Sequence, residues 1–307
     1  MRHRGLELDL FPIPARASRR LRLFKSLRSY ALVGIQRKLF GAAYFYLLRR
    51  LVRRLVYDFD DALYIRDSRD WSGRSWTRRG RFERTVRSAD LVIAGNRLLV
   101  AEARRYNRRV RLLPTSIDTN RYRPLPRRSR SGSAVTIGWI GSRSTLFYLE
   151  DIAATLDLVP APGLPPVRLK VIADEFVRLR RMEVIRKTWR EEEEVDDLRG
   201  VDIGIMPLRD DLWSRGKCGL KLLQYMAMGI PVICSPVGTN LDLVTDGVEG
   251  LHAAGAEGWV QAVRRLAADP VLRKRMGQRG REKVERNYSA TGAAEHLAEI
   301  LRSVGVS

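Results

Sequence analysis

The sequence predicts an α/β chain of about two domains. Three observations carry this. The chain has 307 residues, which suits two domains of roughly 150 each. Apolar residues make up 45%, enough to build cores and to exclude wholesale disorder. Short apolar runs alternate with helical patterns, most regularly in the second half, as in a parallel sheet covered on both faces.

The elements follow in order. Leu6 to Pro14 reads as a short strand stopped by prolines, and Ala31 to Gln36 as a second. Lys38 to Leu55 has helical spacing, with Arg49, Arg50, Arg53 and Arg54 at its negative C-terminal pole. Val56 to Phe59 is a strand. Ser68 to Gly80, rich in Arg, Ser, Trp and Gly, reads as an exposed loop. Ala89 to Ala94 is a strand, Arg97 to Tyr106 a helix, and Val110 to Leu113 a strand stopped by Pro114. Pro124 to Gly132 lacks apolar periodicity and reads as a linker. The expected domains are therefore residues 1–125 and 133–288, followed by a last helix within 289–307.

In the second half, strands are expected at Val135 to Ile140, Leu169 to Ala173, Val201 to Met206, Pro231 to Cys234 and Gly250 to His252. Helices are expected at Thr145 to Leu158, Leu220 to Met228, Trp259 to Ala268, Leu272 to Arg286 and about Gly292 to Val304. The run Glu191 to Glu194 reads as a solvated helix face.

Composition excludes several classes. Two cysteines, Cys218 and Cys234, exclude a disulfide scaffold, a structural zinc site and an iron–sulfur cluster. Three histidines leave little room for histidine-based metal chemistry. The 57 basic against 35 acidic residues, net +22, point to a composition bias toward arginine, or to anionic partners: a membrane surface, nucleic acid or phosphorylated substrates. The N-terminus lacks the apolar run and cleavage site of a leader, and no run of 18 or more uncharged apolar residues occurs. A cytoplasmic chain is expected, with peripheral contact with the inner face of a membrane left open. Leu39 to Leu55, with its interspersed arginines, fits either an interfacial helix on anionic lipid or a core-packed helix with basic ends.

Three constellations can carry chemistry. The first is Gly141-Ser142-Arg143, in the turn after the strand Val135 to Ile140. A glycine lets backbone approach a phosphate, and the following helix N-terminus presents free N–H groups to an anion. The second is the run from Trp213 to Val232. Gly216 and Gly219 loosen the chain before a helix, Lys217 sits at its mouth, Lys221 about one turn in, and Gln224 on the same face as Lys221. The spacing aims two ammonium groups at one place and suits a diphosphate. Both loops lie at carboxyl ends of strands, where open α/β sheets bind ligands. The third is Tyr57 to Tyr64, where Asp58 and Asp60 share a side of an extended segment. These carboxylates suit orienting a hydroxyl or taking its proton. Asp-x-Asp also suits a hard divalent cation, and a cluster pairing with nearby arginines is the plain alternative.

With these residues in view, the sequence resembles the family 4 retaining glycosyltransferases. DIGIMPL (Asp202 to Leu208), the run from Gly216 to Val232, SPVGTN (Ser235 to Asn240), DGVEG (Asp246 to Gly250) and Arg275 to Ser289 fall in that family's order and spacing. VIAGN (Val92 to Asn96) and Leu112 to Pro124 do so too. The resemblance implies a GT-B fold, with two Rossmann-like domains facing a cleft, the nucleotide-sugar on the C-terminal domain and the acceptor on the N-terminal one. It implies a last helix crossing back to the N-terminal domain and no catalytic metal or other cofactor. Donor-binding residues would be Gly141, Ser142, Arg143, Lys217, Gly219, Leu220, Lys221 and Gln224. Catalytic ones would be Asp60, Asp61 and Lys221. The partners implied are a nucleotide-diphosphate sugar and a hydroxylated acceptor such as a glycan, a lipid-linked sugar or a small molecule.

The sequence also departs from the family. Where the family carries two Glu residues eight positions apart, this chain has Gly216 and Gln224. Where a His-Asp pair is frequent, it has Asp60-Asp61. The opening RGLELDLFPIP reads as a second strand, so the N-terminal domain is expected to be incomplete by one βα unit. Two other functions compete: a non-catalytic remnant that binds a nucleotide or partner, and a basic nucleic-acid binder. The latter lacks a stacking or reading motif.

Overall fold

A computed structural model describes residues 2–3, 6–69, 73–124 and 134–304. The chain divides into two units. One comprises residues 1–115, 211–218 and 291–307, and the other 116–210 and 219–290. Most of the expected linker, residues 125–133, lies outside the described residues.

The first unit begins with two-residue strands β1 (Arg2–His3) and β2 (Leu6–Glu7), paired antiparallel. The strand expected over Leu6 to Pro14 is thus replaced beyond Glu7 by irregular chain that leaves Leu8, Leu10, Phe11 and Ile13 exposed. The apolar run there has no sheet neighbour to pair with. Helix α1 (Ala17–Ser26), not expected from the sequence, buries Phe24 against Phe40 and Tyr44. The unit's sheet holds β3 (Val33–Gln36), β4 (Leu55–Phe59), β5 (Leu91–Ala94) and β6 (Val110–Leu112), all parallel and in sequence order.

Helix α2 (Ala42–Leu51) turns Phe45 and Leu48 into the core and leaves Tyr46 exposed. Its main apolar face is therefore packed within the unit. The loop expected over Ser68 to Gly80 instead leads into α3 (Trp76–Ser88), which Ser75 caps by accepting from the Arg78 N–H at 3.3 Å. Its arginines hide the helical period; only Phe82, Thr85 and Val86 are buried. Phe82 is the hub of an aromatic core, with ring centroids 5.2 Å from Phe59 and 4.9 Å from Tyr64. Helix α4 (Arg97–Arg104) is capped by Asn96, which accepts from the Leu99 N–H at 2.8 Å. Such a cap is worth about 1 kcal/mol.

The second unit is built on a six-stranded parallel sheet. Its strands are β7 (Val135–Ile140), β8 (Val167–Ala173), β9 (Glu183–Thr188), β10 (Ile203–Met206), β11 (Val232–Cys234) and β12 (Gly250–His252), in the order β12-β11-β10-β7-β8-β9. Every residue of β7 and of β10 is buried, as expected of strands covered on both faces. The single helix expected over Thr145 to Leu158 is broken into a turn at Arg143–Thr145, α5 (Phe147–Glu150) and α6 (Ala153–Leu156). The edge strand β9 was not expected, and the helix read over Glu191 to Glu194 starts only at its last residue, as α7 (Glu194–Arg199).

After β10, α8 (Leu212–Arg215) belongs to the first unit. The second unit resumes with α9 (Leu220–Ala227), α10 (Asn240–Leu243), α11 (Gly255–Ala268) and α12 (Pro270–Asn287). The last starts as its sequence dictates, with Asp269 as cap and Pro270 in the first turn. The last helix, α13 (Ala290–Arg302), packs Ile300, together with Val304 beyond its end, on Val56, Leu91 and Ile93 of the first sheet. Among the described residues no helix is long and apolar enough to cross a membrane.

Candidate active site

In the second unit the strand order reverses between β7 and β10, the place where parallel sheets open a crevice at their carboxyl ends. Gly141 leaves β7 at this point. A Cβ there would overlap the Trp139 ring and lie 2.8 Å from Lys221 Nζ, so the position has no room for a side chain. Lys221, in the first turn of α9, stands 4.3 Å over the Trp139 ring and donates to Thr145 Oγ1 at 3.4 Å. Gly219 caps α9 in the left-handed conformation, φ 73°, and a side chain there would strike Leu243. The first N–H groups of a helix have no intrahelical partner, and Leu220, exposed, opens α9 at that end. Gly141, Thr145, Lys221 and the start of α9 thus form one electropositive corner.

The neighbouring expectations fare differently. Ser142 Oγ pairs with Ser144 Oγ at 2.8 Å. Arg143 is 74% exposed and ion-paired with Glu175 at 3.0 Å. Gln224 is buried, and its amide donates one N–H to Glu194 Oε1 at 2.7 Å. Glu194 also accepts from the Tyr122 hydroxyl and from Trp189 Nε1, the latter at 2.6 Å. The expectation that the Glu191 to Glu194 run is a solvated face is therefore wrong for its last member. The helical spacing Glu194, Asp197, Leu198, all buried in α7, is the signal that would have singled it out.

Lys217 belongs to the first unit with residues 211–218. Asn96 Nδ2 donates to the carbonyls of Gly216 at 3.0 Å and Lys217 at 3.2 Å, clamping that segment to the carboxyl end of β5. Gly216 is held so close to Ala62 that a Cβ would lie 2.7 Å from Ala62 Cβ. At Gly95 a Cβ would lie 2.6 Å from Cys218 Sγ. Burial lowers the Lys217 ammonium pKa, opposed by the charge of Asp61. Burial likewise pushes the Cys218 thiol up to about 12, so it stays protonated.

The carboxylates end β4. Asp58 accepts from Gln36 Nε2 at 3.2 Å, and burial, reinforced by the charge of Asp60, raises its pKa to about 6. Burial also raises Asp61. Arg37 is ion-paired with Asp60 at 3.1 Å and with Asp61. It is the only non-glycine residue with positive φ, 57°, among the described residues, a backbone state costing roughly 1–2 kcal/mol. A guanidinium thus engages Asp60, one of the two carboxylates of the Asp-x-Asp reading, while Gln36 engages the other; among the described residues no group of three or more His, Cys, Asp or Glu side chains is set to hold a metal. Sequence reasoning missed Arg37 and Asn96, because neither φ nor a contact 120 residues away leaves a local pattern.

Residues 156–269 match the family model described as glycosyl transferases group 1. Over 159 residues the chain is 30% identical to D-inositol 3-phosphate glycosyltransferase of Streptomyces bingchenggensis, covering 47% of this chain and 33% of the relative. Over 87 residues it is 33% identical to trehalose synthase of Pyrococcus horikoshii, covering 28% and 21%. These matches span a third or less of the relatives' own length. Sucrose-phosphate synthase from Thermosynechococcus elongatus superposes with a TM-score of 0.74 over 93% of this chain and 76% of that one, at 18% identity. Anabaena HepE, solved with UDP and glucose, superposes with a TM-score of 0.67 over 95% and 84%, at 15% identity. At such identities the likeness is one of fold. The two parallel sheets are those of GT-B glycosyltransferases, and residues 156–269 are similar to the glycosyl transferases group 1 family.

Proposed function

We propose that the chain transfers a sugar from a nucleotide-diphosphate sugar to a hydroxyl acceptor with retention at the anomeric carbon. The observation that carries this is the corner where Lys221 Nζ meets Gly141 at the point of strand-order reversal. The bond between anomeric carbon and diphosphate oxygen breaks, and a bond from that carbon to the acceptor oxygen forms. Negative charge grows on the departing diphosphate, facing Lys221 and the first N–H groups of α9. A preorganised donor of this kind is worth about 2.7–4 kcal/mol. The acceptor proton passes to a base; in the first unit, taken by itself, the Asp58 to Asp61 cluster offers one, since Asp58, with its pKa of about 6, is ionised and still basic at neutral pH. Asp60 and Asp61, ion-paired with Arg37, orient the acceptor. Anabaena HepE was solved with UDP-glucose, which supports a uridine donor as the first to try. Charge stabilisation by Lys221 and helix N–H groups needs no metal, so turnover in EDTA is expected.

The test is diphosphate release from UDP-, GDP-, ADP- and TDP-sugars, with binding by calorimetry, in the unaltered chain and in Lys221→Ala. Loss of turnover by about 100- to 1,000-fold in the variant is expected. Equal turnover in both would overturn the proposal. Binding without turnover in the presence of acceptors would favour a nucleotide-binding remnant, the reading that Gly216 motivates.

A further inference from the structure

We infer that the first unit holds a phosphate-binding site at the end of its sheet opposite the carboxylates. A cavity of about 380 Å³ lies there, lined by Arg54, Leu91, Arg109, Arg111, Ser303 and Val304. Its position follows from the topology. Arg54 immediately precedes β4, Leu91 opens β5, Arg109 immediately precedes β6, and Arg111 is that strand's second residue. The strands are parallel, so these residues gather at the amino ends. Asp58 and Asp60 stand at the other end of β4, whose five residues span roughly 13 Å at about 3.3 Å per step.

Three arginines line this cavity, and among the described residues none of them has an acidic partner; Arg111 Nη1 donates only to its neighbour's carbonyl, Val110 O, at 3.3 Å. Three like charges beside the apolar walls of Leu91 and Val304 repel one another, and an anion between them removes that repulsion. The end of α13 works the other way. Its last carbonyls carry a partial negative charge of about half a unit, and Ser303 Oγ is spent on Ile300 O at 2.6 Å. Three full positive charges outweigh it. The planar fork of arginine matches phosphate oxygens two at a time. The volume falls within the range of small-molecule sites, about 300–1,000 Å³, so the ligand is a diphosphate, a small organic phosphate or the phosphate of a lipid headgroup. Because Ser303 and Val304 close the cavity, an occupant ties the end of α13 to the sheet.

This inference does not depend on the transferase reading, and its test keeps the two apart. Pyrophosphate binding to the full chain is measured by calorimetry in the Lys221→Ala background, which disables the other anion corner. Flotation with phosphatidylcholine vesicles doped with phosphatidic acid forms the second arm. Arg109→Ala/Arg111→Ala is compared with Lys274→Ala/Arg275→Ala, which removes the same charge from exposed positions of α12. The cavity variant is expected to weaken pyrophosphate about tenfold or more and the control variant by less than about twofold. Arg111→Glu alone, at an exposed position, gives the same loss should the double variant fail to fold. The same loss seen with vesicles but not with pyrophosphate identifies a lipid headgroup as the source. Equal losses in cavity and control variants would reduce the effect to non-specific attraction to a chain of net charge +22 and overturn the site. So would no binding of either probe by the unaltered chain.

Discussion

The two sheets differ in where their first strand lies. In the second unit β7 is central, with β8 and β9 added on one side and β10, β11 and β12 on the other. In the first unit β3 is at an edge, and β4, β5 and β6 follow in one direction. A sheet that winds both ways has a reversal point, and the Gly141 and Lys221 corner sits at it. A sheet that winds one way has none, so its polar site is assembled otherwise. There, Arg37 in a strained conformation gathers Asp60 and Asp61, and Asn96 holds residues 216–218 from far along the chain. The lesson is that the second unit's site is a product of topology, while the first unit's site is a product of particular side chains.

Three substitutions sharpen that contrast. The largest effect is expected from Glu194→Ala, which leaves the donors of Tyr122, Gln224 and Trp189 without their acceptor. A destabilisation of about 3–5 kcal/mol is expected, read as a lowered urea midpoint. Glu194→Gln, which keeps one acceptor, is expected to fall about midway. A loss below about 1 kcal/mol would mean that the network is not structural.

Asn96→Ala comes next. It removes the cap of α4 and two hydrogen bonds to residues 216–217, for about 2–3 kcal/mol in total. If the first unit depends on this clamp, limited proteolysis near residues 211–218 should quicken by more than stability alone predicts. Cleavage that merely follows the change in stability would break the contrast.

The smallest effect concerns Asp58→Asn. The folded pKa of about 6 lies above the ordinary 3.8, so the folded chain binds this proton more tightly than the unfolded chain. Below pH 3.8 both states are protonated and the carboxyl costs nothing. Through pH 6 and above, the buried charge costs roughly 1–3 kcal/mol. Asp58→Asn should therefore raise thermal stability at pH 8 and leave it unchanged near pH 3.5. If Asp58 takes the acceptor proton, the same variant also removes the rise of kcat/KM through about pH 6. A stability gain at pH 8 with an intact activity profile would confine Asp58 to a structural cost.

Legibility followed the same divide. The Gly141 turn and the Lys221 helix start were readable because glycine before a helical period, with lysine at its mouth, is a local pattern. Asp60 and Asp61 were readable as carboxylates ending a strand, with arginine pairing as one reading, but which arginine pairs with them was not. Gln224 is legible as a polar side chain on the Lys221 face, but its bond to Glu194, 30 residues away, is not. Helix α3 was missed because its arginines hide a buried stripe of only Phe82, Thr85 and Val86.

By itself the sequence determined the α/β class, five of the six strands of the second unit with the helices α9, α11 and α12, and the glycine and lysine positions at its carboxyl edge. These rest on periodicity and on turn chemistry, which act between near neighbours. Only the tertiary structure decided that Gly216 has no space for a side chain beside Ala62, that Glu194 faces inward, and that Arg54, Arg109 and Arg111 share one cavity. Those outcomes depend on distances between residues tens to hundreds of positions apart, set by which strands adjoin and which helix closes over them.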